Sequence, residues 1–200
     1  MEKPVNSSDP RVKRTRKLLL DAFYELTAEK EMRDITVQDV TERATVNRAT
    51  FYAHFRDKDA LMDAALRGLV NKALTAGLPP ESPVTKANLR LLFRLMCDFM
   101  NKTARRCPKS LGEHSLLMNS AVQAELALFV REWMTHATPI EHRKQGHLET
   151  VASLVSWSIY GATVEWMRQP GAISQETLAT EMVDLLTGGI CKGIIGETEG

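Results

Sequence analysis

Between Thr36 and Lys58 the chain sets hydrogen-bonding and cationic side chains among regularly spaced apolar residues. Arg48 carries a planar guanidinium that can donate two parallel hydrogen bonds to guanine O6 and N7. Thr50, Tyr52 and His54 follow at helical spacing and offer hydrogen bonds suited to phosphates and occasional base edges. Lys58, at the start of the next segment, offers a point charge to a phosphate backbone. Gln38 lies near the beginning of the preceding helical stretch, within reach of a base or a phosphate. The backbone N–H groups that follow Thr36 form a helix terminus of the kind that holds anions. Such side chains suit contact with a duplex. No Gly-x-Ser-x-Gly elbow, Walker lysine loop, dinucleotide fingerprint or His-Glu-x-x-His occurs, and Gly188-Gly189-Ile190-Cys191-Lys192 lacks phosphate-loop spacing. An enzyme is not expected.

Holding those side chains on one surface requires a small frame. Ile35, Val40, Ala44, Val46, Phe51 and Phe55 are spaced to form a mini-core between two short helices joined by a tight turn at Ala44–Asn47. The second helix begins at the N-cap Thr36 and ends near Arg43; the third covers about Arg48–Phe55. That geometry leaves one face of the third helix free to enter a major groove. Ahead of it, Leu19, Ala22, Phe23 and Leu26 recur at i, i+3, i+4 and i+7, predicting a first helix over about Val12–Glu29. Asp57 is placed to cap a fourth helix reaching about Ala76.

The rest of the chain also reads as helical. Gly77-Leu78-Pro79-Pro80-Glu81-Ser82-Pro83 is rich in helix breakers and marks a connection. Leu89, Leu92, Phe93, Met96, Phe99 and Met100 then define a helix over about Val84–Thr103, and others follow over about Ser120–Thr135, His147–Arg168 and Ser174–Ile190. With no β alternation and no internal repeat, the fold class is all-α, about nine helices. The organisation expected is residues 1–60 as an arm and helix-turn-helix, a connecting helix over 57–76, and a helical domain over 77–200.

The segment Ile35–Leu61 resembles the DNA-binding domain of the tetracycline-repressor (TetR/AcrR-type) family. The matching residues are Leu19-Leu20-Asp21-Ala22-Phe23, Ile35-Thr36-Val37-Gln38-Asp39-Val40 and Ala49-Thr50-Phe51-Tyr52-Ala53-His54-Phe55-Arg56-Asp57-Lys58-Asp59-Ala60-Leu61. The close match spans roughly residues 12–66. The resemblance implies that Thr50, Tyr52, His54 and Lys58 mostly hold phosphates, that Gln38, Arg48 and Ala49 sit where base contacts are made, and that Phe51 and Phe55 are core. Three residues depart from the family pattern. Thr45 stands where a glycine is usual, which puts a β-branched residue at an expected φ > 0 position. Thr41 replaces a small alanine at the helix crossing, and Glu31 replaces a glycine that often ends the first helix.

By the same resemblance, residues from about 84 onward bind a small effector and dimerise. The last two predicted helices carry apolar residues on more than one face, which independently favours a second copy as partner. Their expected dimer-interface residues are Val151, Val155, Ile159 and Ala162, with Leu178, Met182, Leu185 and Leu186. A homodimer would read a palindromic or near-palindromic double-stranded operator. Phe93, Met96, Cys97 and Met100, with Leu117, Met118, Trp133 and Trp157, are the candidate lining of an adaptable pocket, and Tyr160 and His114 are its polar groups. An unidentified apolar or aromatic small molecule of modest size is expected there, with no cofactor. Its binding would shift the fourth helix and release the DNA.

Composition agrees with a regulator that stays in the cytoplasm. The net charge is +1, yet Lys3, Arg11, Lys13, Arg14, Arg16 and Lys17 oppose only Glu2 and Asp9 among the first 20 residues, a local +4. No apolar run approaches a membrane span, and the basic, polar start has no signal-peptide core. Cys97, Cys107 and Cys191 are too few and scattered for a disulfide framework, and read as reduced thiols. Two alternatives stay open: a non-specific architectural DNA binder, and a metal-responsive regulator using His136, Glu141, His142 and His147.

Overall fold

The computed structural model describes residues 9–106, 115–137, 145–169 and 171–188. Among them the chain is all-helical: α1 (Pro10–Glu29), α2 (Val37–Arg43), α3 (Arg48–His54), α4 (Lys58–Gly77), α5 (Lys86–Arg106), α6 (Ser115–Ala137), α7 (Gln145–Arg168) and α8 (Gln175–Gly188), with a single 3-10 turn at Met32–Asp34. The chain divides into two compact units, residues 1–68 with 107–121, and residues 69–106 with 122–200; the boundary at Gly68 falls inside α4.

Local chemistry sets the helix ends. α1 starts two residues earlier than periodicity predicts, because the Asp9 carboxylate accepts the Arg11 N–H at 2.8 Å and Pro10 takes the first helical position. It ends without a left-handed residue: Lys30 is extended at φ −149° and Glu31 has φ −64°, so no glycine is needed there. Asp57 caps α4 by accepting the Ala60 N–H at 2.8 Å. Thr85 caps α5 through the Asn88 N–H, and Ser174 caps α8 through the Thr177 N–H. α6 begins five residues before the apolar stripe that marked it.

In the first unit, α1 packs on both α2 and α3, and α2 on α3. Leu19, Ala22, Phe23 and Leu26 of α1 meet Ile35, Val40, Ala44, Phe51 and Phe55, all buried; Val46 is half-buried at the edge. Each large apolar side chain so buried contributes about 1.5–3 kcal/mol, the main support for two helices of only seven residues that would not persist alone. Thr41 is buried at the crossing, and its hydroxyl donates to the Gln38 carbonyl at 3.0 Å, so the departure from alanine leaves no unpaired donor.

In the second unit, α5 packs against α7 and α8, which also touch one another. Leu89, Leu92, Phe93, Met96, Phe99 and Met100 are all buried there. Trp133 donates its indole N–H to the Ser82 carbonyl at 2.7 Å and so ties down the breaker-rich connection. Lys86 pairs with Asp184 at 2.9 Å and Arg94 with Glu176 at 3.1 Å along the α5–α8 seam. No helix among the described residues is long and apolar enough to cross a membrane.

Candidate nucleic-acid interface

The α2–turn–α3 segment is built from interlocking caps. Thr36 and Asp39 form a reciprocal capping box: the Asp39 N–H donates to the Thr36 hydroxyl oxygen at 3.1 Å, and the Thr36 N–H donates to the Asp39 carboxylate at 2.7 Å. Lys30 pairs with the same carboxylate at 2.6 Å. Bonded first by Lys30 and then by the Thr36 N–H and hydroxyl, Asp39 is held down to about 2. The negative charge favoured at this helix start is therefore supplied from within, and the Thr36 hydroxyl is occupied.

α2 closes in a Schellman turn. The Thr45 N–H donates to the Glu42 carbonyl at 3.1 Å and the Val46 N–H to the Thr41 carbonyl at 3.0 Å, with Thr45 at φ 55°. Asn47 then caps α3, its side-chain oxygen accepting both the Thr50 N–H at 2.7 Å and the Thr50 hydroxyl at 2.9 Å. The sequence reading missed Asn47, although an asparagine one residue before a helical run is a recognisable N-cap signal.

α3 presents Arg48, Ala49 and Tyr52 to solvent. Arg48 has no hydrogen bond or ion pair to any described residue, so its guanidinium is available to a ligand. Tyr52 is 53% exposed, its ring edge-on to Phe51 at 5.3 Å, which holds the phenol outward. Thr50 and His54 are half-buried. Burial, and then the charge of Arg16, pulls His54 below the usual imidazole value, so near neutral pH it offers an N–H but no net charge. Gln38 is exposed but donates to Glu42 at 2.8 Å, a partner it must exchange to reach a base. Lys58 is half-buried at the start of α4.

Cations of the first unit also brace it. Arg43 reaches back from α2 to Glu29 at 2.7 Å and Glu25 at 3.3 Å on α1. Arg16 lies 4.2 Å over the Phe55 ring and donates to the His54 carbonyl at 3.2 Å. No local spacing rule connects residues so far apart in sequence, and the roles of Arg16 and Arg43 were not legible.

The candidate effector residues separate into groups. Phe93, Met96, Cys97 and Met100 of α5 and Trp133 of α6 are each buried in the second unit, with the Cys97 thiol 3.9 Å from the buried Thr163 hydroxyl. Trp157 is elsewhere: it is 57% exposed on α7, with Tyr160 half-buried and edge-on to it at 6.2 Å. It lines no interior with Trp133, because α7 is apolar around most of its circumference and this residue falls on the outer side. His114 and the side chains of Leu117 and Met118 lie outside the described residues.

The expected dimer-interface residues divide in the same way. Val155, Ile159 and Met182 are buried within the chain itself, and Val151, Ala162, Leu178 and Leu186 are half-buried. The apolar side chains that α7 and α8 leave uncovered are Leu154 (61% exposed), Trp157 and Leu185 (40%). Val155, Ile159 and Met182 are therefore core rather than free surface, one helical step from the outward face. Trp157 also borders an open groove of about 600 Å³ shared with Leu128, Arg131, Glu149 and Ala152. Among the described residues no three His, Cys, Asp or Glu side chains are grouped to hold a metal ion; Glu141 and His142 lie outside them.

A buried three-helix frame, a capped turn with a left-handed pivot and an outward-facing third helix define a helix-turn-helix. Residues 19–65 match the family model described as bacterial regulatory proteins, tetR family. The helix-turn-helix-type transcriptional regulator YxbF of Bacillus subtilis (strain 168) is 33% identical over 92 residues, covering 44% of this chain and 24% of that protein. The whole fold is similar to that of the TetR family repressor AlkX from Dietzia sp. strain DQ12-45-1b, at TM-score 0.55 and 16% identity over 94% of this chain and 98% of that one. A TetR transcriptional regulator from Rhodococcus sp. RHA1 is similar at TM-score 0.51 and 18% identity, over 90% and 98%. Residues 19–65 are therefore similar to the tetR-family helix-turn-helix, the chain as a whole shares its fold with these two structures, and it spans about a quarter of the length of the Bacillus relative that it matches.

Proposed function

We propose that the protein is a homodimeric repressor that binds a palindromic operator through α3 and leaves it when an apolar or aromatic small molecule binds the second unit. The observation that carries this reading is Arg48, an exposed guanidinium with no internal partner among the described residues, at the first position of a helix whose other side is buried. Arg48, Gln38 and Ala49 face base edges in this reading; Thr50, Tyr52, His54 and Lys58 hold phosphates. The uncovered Leu154, Trp157 and Leu185 supply the start of a self-complementary apolar face, and two recognition helices are needed because each good bidentate base contact gives only about 1–3 kcal/mol. The effector would lie against the buried Phe93, Met96 and Met100 of α5, where flexible methionines can part around a ligand.

Selection from a randomised duplex pool at near-physiological salt tests the reading. Recovery of one palindromic motif supports it. Binding without sequence preference that vanishes as salt rises would replace it with non-specific electrostatics.

A further inference from the structure

We propose that Arg16, on α1, is a positioning residue of the DNA interface that sets the orientation of α3 by clamping its C-terminal end. The inference rests on the DNA-binding reading of α3.

At its first turn α3 is fixed by Asn47, but at its last turn the helix needs another support. The Phe55 N–H satisfies the Phe51 carbonyl at 2.9 Å, and the chain then turns extended at Phe55, φ −137°. The His54 carbonyl points out of the helix and accepts from Arg16 Nη1 at 3.2 Å. The same guanidinium lies 4.2 Å over the face of Phe55, whose ring is buried in the mini-core. A planar cation that stacks and donates at once fixes both the distance and the tilt of the group beneath it, which an ammonium on a flexible stem does not. Its positive charge also sits at the negative end of the α3 dipole. No described carboxylate neutralises it. Arg16 thus joins α1 to the C-terminal end of the seven-residue α3, at His54 and Phe55.

The geometry separates positioning from simple attraction. A residue that only attracts phosphate is replaceable by lysine; one that sets the tilt of α3 is not. The test uses full-length protein, the duplex recovered by selection and a scrambled duplex of equal length. Expected for Arg16→Lys is about a tenfold loss of affinity for the selected duplex, from the lost stacking and forked donation, with binding to the scrambled duplex unchanged. Phe55→Leu should reproduce the pattern, and the double variant should be little worse than either single, since ring and cation act through one contact. NMR titration of His54 gives a readout without DNA: Arg16→Gln should raise its midpoint, whereas Arg16→Lys keeps the charge nearby. Arg16→Lys discriminating as the wild type does, or an unmoved His54 midpoint in Arg16→Gln, would overturn the positioning role and leave the DNA-binding reading standing. A wild-type protein with no preferred sequence would overturn both.

Discussion

Val46 donates its backbone N–H to the Thr41 carbonyl at 3.0 Å, closing the turn between α2 and α3 around Thr45, which stands at φ 55°. That conformation is costly for a β-branched residue, about 1–3 kcal/mol. The Schellman hydrogen bonds and the mini-core on either side outweigh it. Thr45→Gly removes the strain but gives the unfolded chain more freedom, which offsets part of the gain. A net stabilisation of about 1 kcal/mol is expected, read as a rise of roughly 2–4 °C in the melting midpoint. An unchanged or lower midpoint would show that Thr45 is not strained.

Arg48→Ala should relax base preference at one position of each half-site by about 1–3 kcal/mol while leaving binding to scrambled DNA nearly intact. Lys58→Ala should weaken all sequences by a similar factor. Competition binding with single-base operator variants distinguishes the two. A uniform loss in Arg48→Ala would move that residue to the phosphate backbone.

Asp39 links the pH response to the helix-turn-helix. Its folded-state value lies at about 2, below the ordinary aspartate value of 3.8, chiefly because of Lys30 and then Thr36. A carboxylate depressed by folding stabilises above its unfolded value, and that contribution is lost as pH falls from 3.8 toward about 2. Melts recorded from pH 5 to 2 should show wild type losing stability across this window more steeply than Asp39→Asn, which has no such proton to take up. Parallel pH profiles would remove Asp39 as a source of acid sensitivity.

Leu154 and Ile159 lie close together on α7 and should behave oppositely. Leu154→Glu places a charge on the uncovered face, so, if the proposed dimer forms there, sedimentation should show monomers at concentrations where the wild type self-associates, with weaker operator binding and little change in helicity. Ile159→Ala empties a fully buried site and should cost about 2–5 kcal/mol of stability instead. Dimers persisting in Leu154→Glu would place the self-association face elsewhere.

The contrast between those two residues also explains how much the sequence discloses. α1 and α5 each have one apolar stripe, and every residue assigned to those stripes is buried. The strained turn was legible only through the family resemblance, which places a glycine where Thr45 stands at φ 55°. α7 offers no such guide. Leu154, Val155, Trp157 and Ile159 are all apolar, and composition alone does not say which of them face α5 and which face outward. On α3, residue types pointed to Arg48 and Tyr52, which are exposed. The engaged state of Gln38 and Thr36, and the reach of Arg16 to His54, depend on tertiary neighbours that no short spacing encodes.

The braces Lys30–Asp39, Arg43–Glu29 and Arg43–Glu25 are solvent-accessible ion pairs, each worth about 0–1 kcal/mol and weakened by salt. Under the proposed function, ionic strength would therefore act on this domain twice, by screening phosphate contacts and by loosening the α1–α2 frame that presents them. A plot of log affinity against log salt will be steeper than the number of displaced counterions alone requires. Phosphate contacts counted from its slope will be too many unless the frame's own salt sensitivity is measured without DNA and subtracted.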